Sequence, residues 1–152
     1  WNRSTNYGNL SSMISELETD DPSLAADVKA AFTRRKHCTM ATLRADGAPR
    51  ISGTEVEFTD GQVYIGTPDD ARKALDLRRD PRVAIHSPTI DPIGDDWEGE
   101  AKFSGVAVEV SPGRFRIDVT SVVFTGLTDE TPPRLRIRLW RPARGVETMF
   151  RA

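Results

Sequence analysis

A strand, a turn and a short basic helix follow one another between Val63 and Ser87, and this stretch constrains the fold most strongly. The sequence reads VYIGTPDDARKALDLRRDPRVAIHS. An apolar run ends before Thr67, and the basic segment over residues 71–79 predicts a helix. Pro81 ends that helix, and the apolar run over residues 83–87 predicts a further strand. We therefore expect a short helix that directly joins two strands.

Two cationic side chains, Arg72 and Lys73, lie in the first turn of this predicted helix. A first turn also carries backbone N–H groups without intrahelical acceptors and the positive end of the helix dipole. Together these features predict an anion site, and phosphate is the commonest biological anion bound in this way. The alternative is an ordinary connector, in which Arg72 and Lys73 are solvated and Asp69 or Asp70 caps the helix. Local chemistry leaves both interpretations open.

The rest of the chain alternates in the way that is typical of β-strands joined by tight turns. A loosely attached arm is expected over residues 1–20, and an amphipathic helix over Pro22–Arg35, where Pro22 suits the first turn. Asp46-Gly47 and Asp60-Gly61 are hairpin turn signals. Strands are predicted at residues 38–43, 50–58, 62–66, 83–87, 100–110, 115–124 and 135–140, with a bulge near Gly105.

Short turns, few helices and no alternation of strands with long helices predict a mainly β protein. We expect an antiparallel barrel of six to seven strands over residues 38–141. A length of 152 residues favours a single domain over the whole chain, residues 1–152.

Composition excludes several classes of partner. A net charge of −2 argues against general nucleic-acid binding. No apolar run approaches the roughly 20 residues that span a bilayer, so no membrane partner is expected. The first twenty residues are polar and acidic, unlike a secretion signal. Cys38 is the only cysteine, which excludes an internal disulfide and indicates a reducing compartment, so we predict a cytoplasmic protein.

No side chain is predicted to be catalytic or to bind a metal. The only histidines, His37 and His86, do not form a metal-ligand spacing, and there is no second cysteine for zinc. No serine lies in a Gly-x-Ser-x-Gly elbow, and the carboxylates are scattered over turns. If the protein is an enzyme, a cofactor therefore carries the chemistry.

Arg134, Arg136 and Arg138 alternate along the last predicted strand. A solvated barrel exterior is the simplest interpretation of this pattern. A dimer contact and a surface for an anionic ligand remain as alternatives. Trp97 and Trp140 are expected to pack in the core or in an interface.

Three segments resemble the pyridoxamine 5′-phosphate oxidase-like split-barrel superfamily, over roughly Pro22 to Trp140. They are ATLRADGAPRISGTEV, the stretch between Val63 and Ser87, and GEAKFSGVAVEV. That superfamily includes enzymes that use FMN and reductases that use the deazaflavin coenzyme F420. The resemblance implies a split β-barrel, a homodimer, and a cofactor bound in grooves at the dimer interface.

The resemblance also implies which residues bind the cofactor. Arg72 and Lys73 correspond to the pair that binds the cofactor phosphate, and Thr67 contributes from the end of the preceding strand. The strand after the first hairpin supplies contacts to the ring system, here Arg50, Ile51, Ser52 and Gly53. Glu100 stands near the position of a glutamine in the true oxidase, and the oxidase's C-terminal arginine and histidine pattern is not recognisable. Oxidation of pyridoxamine phosphate is therefore not expected.

The leading hypothesis is an oxidoreductase that moves a hydride between F420 or FMN and a small or planar conjugated substrate. An arginine-rich composition, typical of actinobacteria, favours F420 slightly. The second hypothesis is a non-catalytic protein of the same fold that binds flavin, deazaflavin or haem. The third is a small barrel adaptor without a ligand. Residues 111–114 form a very short connection where many members of the superfamily carry a helix.

Overall fold

The computed structural model describes residues 13–94 and 96–151. Three helices and nine strands occur in these residues, in the order α1 (Met13–Asp20), α2 (Pro22–Thr33), β1 (Cys38–Leu43), β2 (Pro49–Thr54), β3 (Val56–Thr59), β4 (Gln62–Gly66), α3 (Arg72–Arg79), β5 (Arg82–His86), β6 (Glu100–Ser111), β7 (Arg114–Leu127), β8 (Leu135–Arg141) and β9 (Gly145–Arg151). Within the described ranges, none of the helices has the length and apolar character needed to cross a membrane.

All nine strands belong to one antiparallel sheet, which confirms the prediction of a mainly β split barrel. The order along the sheet is β2-β1-β5-β6-β7-β4-β3, and β8 pairs with both β7 and β9. The long strand β7 therefore pairs with β4 near its start and with β8 near its end. This shared strand curves the sheet so that one face encloses the core.

The strand count exceeds the predicted six to seven for two reasons. The strand expected over residues 50–58 is interrupted at Glu55, which separates β2 from β3. Beyond the predicted barrel end at residue 141, the chain turns and returns as β9, whose last residues are exposed. An exposed edge strand needs no apolar alternation, so its sequence gives little signal.

The predicted helix over Pro22–Arg35 is confirmed as α2, which ends slightly earlier, at Thr33. The Asp21 side chain accepts a hydrogen bond from the Leu24 amide at 2.9 Å, which caps the helix at its start. Phe32 packs against Phe103 of β6, with ring centroids 5.0 Å apart. The buried face of α2 consists of Leu24, Ala25, Val28, Ala31 and Phe32.

The expectation of a loosely attached arm is wrong for residues 13–20, which form α1. Ile14 and Leu17 are buried in the core, and Glu18 forms an ion pair with Lys29 of α2. The helical spacing of the two apolar residues provides a face that is stabilised by burial against the barrel. The remainder of the predicted arm, residues 1–12, lies outside the described residues.

The solvated-exterior interpretation of the arginine pattern on β8 is wrong for Arg138. Only 7% of this residue is exposed; it forms an ion pair with Asp27 of α2 and lies over the ring of Phe124. On the same face, Trp140 is completely buried and donates from Nε1 to Asp20 Oδ2 at 2.8 Å. The two N-terminal helices cover this face, so Trp140 is a core residue and is not available to a partner.

Strand β6 contains a bulge and ends in a tight turn that contacts the segment before α3. The register with β7 shifts between Ser104 and Gly105, which confirms the predicted bulge. The short connection after β6 is a tight hairpin, because Ser111 pairs directly with Arg114. Gly113 in this turn has φ +71°, and its carbonyl accepts from the Thr67 amide at 2.8 Å. A Cβ at Gly113 would lie 2.2 Å from the Thr67 carbonyl oxygen, so the turn packs directly on the segment before α3.

Candidate functional site

Helix α3 begins without a side-chain cap. Its N-cap residue is Ala71, and none of the described side chains accepts a hydrogen bond from its first turn. The alternative in which Asp69 or Asp70 caps the helix is therefore wrong. The Ala74 amide donates to the Ala71 carbonyl at 2.9 Å, so the amides of Arg72 and Lys73 and the positive end of the helix dipole are left for another acceptor.

The two cations of this first turn lie in different surroundings. Lys73 reaches across to β2, where its Nζ lies 2.5 Å from the carbonyl oxygen of Gly53. Arg72 is exposed and forms no ion pair with any described residue. Thr67, at the end of β4, has a buried hydroxyl without a hydrogen-bond partner in the described part of the chain. The structure therefore brings Gly53 and Lys73 together and, within the described chain, leaves the Arg72 guanidinium without an ion pair and the Thr67 hydroxyl without a hydrogen bond.

Arg50 holds α3 in place and does not line the cleft beside Lys73. Its Nε lies 2.6 Å from Oδ2 of Asp76, a buried acid in the middle of the helix. The Thr42 hydroxyl donates to the same oxygen at 2.8 Å, and Arg79 donates to Oδ1 at 3.0 Å. Burial alone raises the pKa of Asp76, but these hydrogen bonds outweigh it and hold the pKa at about 2. An ionised carboxylate thus fixes α3 to β1 and β2.

A cleft of about 550 Å³ opens next to Lys73. Its walls come from the end of β2, from β3, from β4 and from the start of β7. They carry both signs of charge, and the lining consists of His37, Gly53, Thr54, Glu55, Val56, Glu57, Tyr64, Gly66, Lys73 and Arg114. The size falls in the range of pockets that hold small molecules.

Of the ten residues that line the cleft, Gly53 and Lys73 were predicted from the sequence, whereas the predicted Thr67 and Arg72 do not line it. Among the eight that were not predicted, Glu57, Tyr64 and Arg114 contact one another. The Arg114 guanidinium lies 4.6 Å above the centroid of the Tyr64 ring and 3.1 Å from a Glu57 carboxylate oxygen. The hydrogen bond from Arg114 lowers the pKa of Glu57. One signal was available: Tyr64 is an outward-facing aromatic residue between the buried Val63 and Ile65, directly before the predicted anion site.

Ile51 and Ser52 do not join this cleft. Side chains of β2 alternate between the two faces of the sheet, and Ile51 is 75% exposed on the outer face. There it lines a second, mostly apolar cavity of about 200 Å³ together with His86. Ser52 is half-buried, and its backbone pairs with Met40 of β1. The four predicted ring-contact residues therefore face different environments, and only Gly53 lines the cleft beside Lys73.

Among the described residues, no three His, Cys, Asp or Glu side chains converge in a group that could hold a metal ion. The cleft offers the Lys73 ammonium group, backbone groups and the unpaired Thr54 hydroxyl. This set suits a ligand that carries an anionic group, bound through hydrogen bonds and charge.

The antiparallel sheet with a short helix between β4 and β5 defines a split-barrel protein. A family model described as pyridoxamine 5′-phosphate oxidase matches residues 24–119. The chain belongs to the pyridoxamine 5′-phosphate oxidase family. No curated protein matches the sequence.

Solved structures with the same fold have low sequence identity to this chain. A pyridoxamine 5′-phosphate oxidase-related, FMN-binding protein from Nostoc punctiforme is 11% identical, with a TM-score of 0.57 over 91% of this chain and 94% of that one. PhzG from Burkholderia lata, in complex with tetrahydrophenazine-1-carboxylic acid, is 14% identical, with a TM-score of 0.58 over 93% and 92%. An F420 reductase is 15% identical, with a TM-score of 0.51 over 62% of this chain and 94% of that one. These likenesses concern the fold.

Proposed function

We propose that this protein is an oxidoreductase that moves a hydride between F420 or FMN and a small or planar conjugated substrate. The observation that carries the proposal is the uncapped start of α3 beside the cleft, where Lys73 reaches Gly53. Family membership supports it, as do structural neighbours that bind FMN or are named for F420.

The residues around the cleft fit a cofactor with a phosphate group. Arg72 and Lys73 would hold the phosphate, together with the amides of the first turn of α3. The Thr67 hydroxyl, buried and unpartnered in the described chain, would donate to a phosphate oxygen. Thr54 has a second such hydroxyl on the cleft wall. Of these two hydroxyls, only that of Thr54 belongs to a residue lining the cleft, and because buried hydroxyls usually have partners, it favours a polar ligand there.

The bound ring system supplies the redox chemistry, as an acceptor or donor of a hydride. The protein binds and orients it. The polar backbone of β2 at Gly53 would face the edge of the ring, and the cleft walls would exclude water. Asp76 and Arg50 act indirectly, because they fix the helix that carries the phosphate-binding groups.

The choice between the two cofactors rests on composition and on charge. The arginine-rich sequence favours F420, whose polyglutamate tail would be attracted to the arginines near the cleft. Arg114 at the cleft wall is one such group, although Glu57 partly neutralises it. FMN has no such tail, so the binding of FMN is expected to depend less on salt.

Turnover tests the proposed function. The protein is titrated with FMN and with F420, and the cofactor that binds is then reduced and mixed with quinones and conjugated ketones as acceptors. We expect stoichiometric binding of one cofactor, followed by loss of its reduced form in proportion to the protein present. Binding without oxidation of the reduced cofactor would favour the second candidate, a non-catalytic binding protein. Absence of binding to both cofactors would overturn the proposal.

The second candidate is supported by the chemistry of the cleft wall. Its one imidazole, that of His37, is largely exposed to solvent, and its carboxylates pair with cations: Glu55 with Lys36 and Glu57 with Arg114. A protein that only sequesters flavin, deazaflavin or haem needs no acid or base. A cofactor-dependent hydride transfer needs none from the protein either, which is why turnover decides.

We further propose that the chain forms one domain and assembles as a homodimer that shares the cofactor groove. All strands of the described chain lie in one sheet, whose outer face is lined by small side chains across β1, β5 and β6: Ala41, Ala84 and Ser104. Ile51 and Val106 flank this face and are exposed apolar residues. A face of small side chains flanked by exposed apolar residues suits a two-fold contact.

Sedimentation tests the dimer. The protein is expected to sediment as a dimer at micromolar concentration, and Ile51→Glu combined with Ala84→Glu is expected to shift it to the monomer, because charges would be buried in the contact. Ile93→Glu is the control, since Ile93 is 87% exposed in the loop before β6. A wild-type monomer, or a dimer that survives the double substitution, would contradict this proposal.

A further inference from the structure

Asp69 lies three positions before Arg72, the first residue of α3, and its side chain binds the opposite end of the helix. Asp69 lies two residues before the N-cap residue Ala71, and its carboxylate would be the cap of a helix that began two residues earlier. Instead its side chain forms an ion pair with Arg78, from the last turn of the same helix. Arg78 NH1 also donates to the backbone carbonyl of Asp69 at 2.8 Å. One arginine thus binds both the side chain and the backbone of this residue.

Arg78 is itself held in place from β6. Its Nε lies 2.9 Å from Glu109 Oε2 and its NH2 lies 2.6 Å from Glu109 Oε1. Such a two-pronged contact orients the planar guanidinium. The Glu109 carboxylate also accepts from the Gly113 amide at 3.0 Å. The hydrogen bond from Arg78, with that from Gly113, lowers the pKa of Glu109 to about 2, so this anchor stays ionised at neutral pH.

The same contacts hold both ends of the segment before α3, residues 67–69. The Gly113 carbonyl accepts from the Thr67 amide at 2.8 Å, and the Arg78 guanidinium binds Asp69 at the other end of the segment. Glu109 connects the two ends, because it contacts both Gly113 and Arg78. The segment is therefore fixed in a conformation in which the acid faces Arg78 and the first helical turn stays open.

We propose that Arg78 is a positioning residue that keeps the Asp69 carboxylate away from the phosphate site at Arg72 and Lys73. This inference rests on the proposed function of that site. Without Arg78, Asp69 is free to cap α3, where it competes with a phosphate group for the same amides and repels it. The Arg78–Glu109 pair thereby sets the affinity for a phosphate-bearing cofactor without touching it.

A double-mutant cycle with Arg78→Gln, Asp69→Asn and the combined variant tests this. FMN and F420 are titrated against each protein. Arg78→Gln is expected to weaken binding about tenfold, the effect of one unfavourable charge contact of about 1.4 kcal/mol. Asp69→Asn alone is expected to change the affinity by less than about threefold, and the combined variant is expected to bind nearly as tightly as the wild type. Arg82→Gln is the control, because Arg82 forms a similar exposed pair with Asp80 at the start of β5.

Rescue separates positioning from a merely structural role. If Arg78 only stabilised the fold, Asp69→Asn would not restore affinity in the combined variant, and that result would overturn the proposal. Unchanged affinity in Arg78→Gln would overturn it as well. Thermal unfolding of all variants shows whether the fold is retained.

A ligand-free readout distinguishes this inference from the proposed function. In Arg78→Gln, the amide protons of Arg72 and Lys73 are expected to move downfield in nuclear magnetic resonance spectra, because Asp69 then accepts from the first turn. The additional Asp69→Asn substitution is expected to reverse most of this shift. If the amides do not respond, Asp69 does not reach the helix and the inference fails, whichever cofactor binds. If they respond while the wild type binds neither cofactor, the fault lies in the proposed function.

Discussion

Replacing Arg72 and Lys73 together by alanine is expected to weaken the binding of FMN or F420 by at least about a hundredfold. Each charge-assisted hydrogen bond to a phosphate contributes about 1.5–3 kcal/mol, and about 1.4 kcal/mol corresponds to a factor of ten. The loss of two cations removes at least two such bonds. Fluorescence or absorbance titration of the wild type and the double variant measures the change.

Folding of this double variant should be almost unaffected. Arg72 is exposed, and the contact of Lys73 with Gly53 is a single hydrogen bond at the surface. The matched control is Arg144→Ala with Arg151→Ala, because both arginines are exposed on the β8–β9 hairpin and their loss changes the net charge equally. Equal affinity of the double variant and the wild type would show that the start of α3 is only a connector. An equal loss in the control would point to a general charge effect.

Replacing Asp76 by alanine is expected to lower the free energy of unfolding by about 3–5 kcal/mol. The carboxylate is 2% exposed and accepts from Thr42, Arg50 and Arg79. Its removal leaves a buried hydroxyl and a largely buried guanidinium without their partner, which is the costly way to break such a contact. Urea unfolding measures the difference. A loss below about 1 kcal/mol would mean that water replaces the carboxylate at little cost.

The same carboxylate predicts how stability depends on pH. The folded-state pKa of Asp76 is about 2, against an ordinary value of 3.8. A lowered pKa contributes stability that is present above the unfolded value and is lost as the pH falls from about 4 to about 2. The difference of roughly two pH units corresponds to about 2 kcal/mol. Glu109 titrates in the same range, so the effect of Asp76 is the difference between wild type and Asp76→Asn in acid unfolding at each pH.

The strand and helix pattern between Val63 and Ser87 could be predicted because local rules determine it. Apolar alternation, a turn before the basic helix, and Pro81 after it all act within a few residues. Strands 38–43 and 62–66 were predicted with their observed bounds. The bulge at Gly105 was also visible, because the alternation of apolar residues breaks there.

Features that depend on contacts between distant elements could not be predicted from local patterns. Arg138 looked solvated because its strand alternates arginine with apolar residues, yet α2 supplies Asp27 to its inner face. The role of Asp76 depends on Arg50, which approaches from a hairpin much earlier in the chain. Local propensity carries no information about such partners, because they meet only after the sheet has formed.

The hairpin at Gly113 limits how far the segment before α3 can be treated as a portable module. A strand, turn and helix of this kind are an obvious choice for transfer into another barrel to create a phosphate site. In this protein, however, the Thr67 amide is satisfied by the Gly113 carbonyl, and the absence of a Cβ at Gly113 permits the close approach. If residues 63–87 were transferred alone, the Thr67 amide would lose its acceptor, so the turn between β6 and β7 must be transferred as well. In engineering, residues 63–87 and the β6–β7 turn should therefore be transferred or changed together.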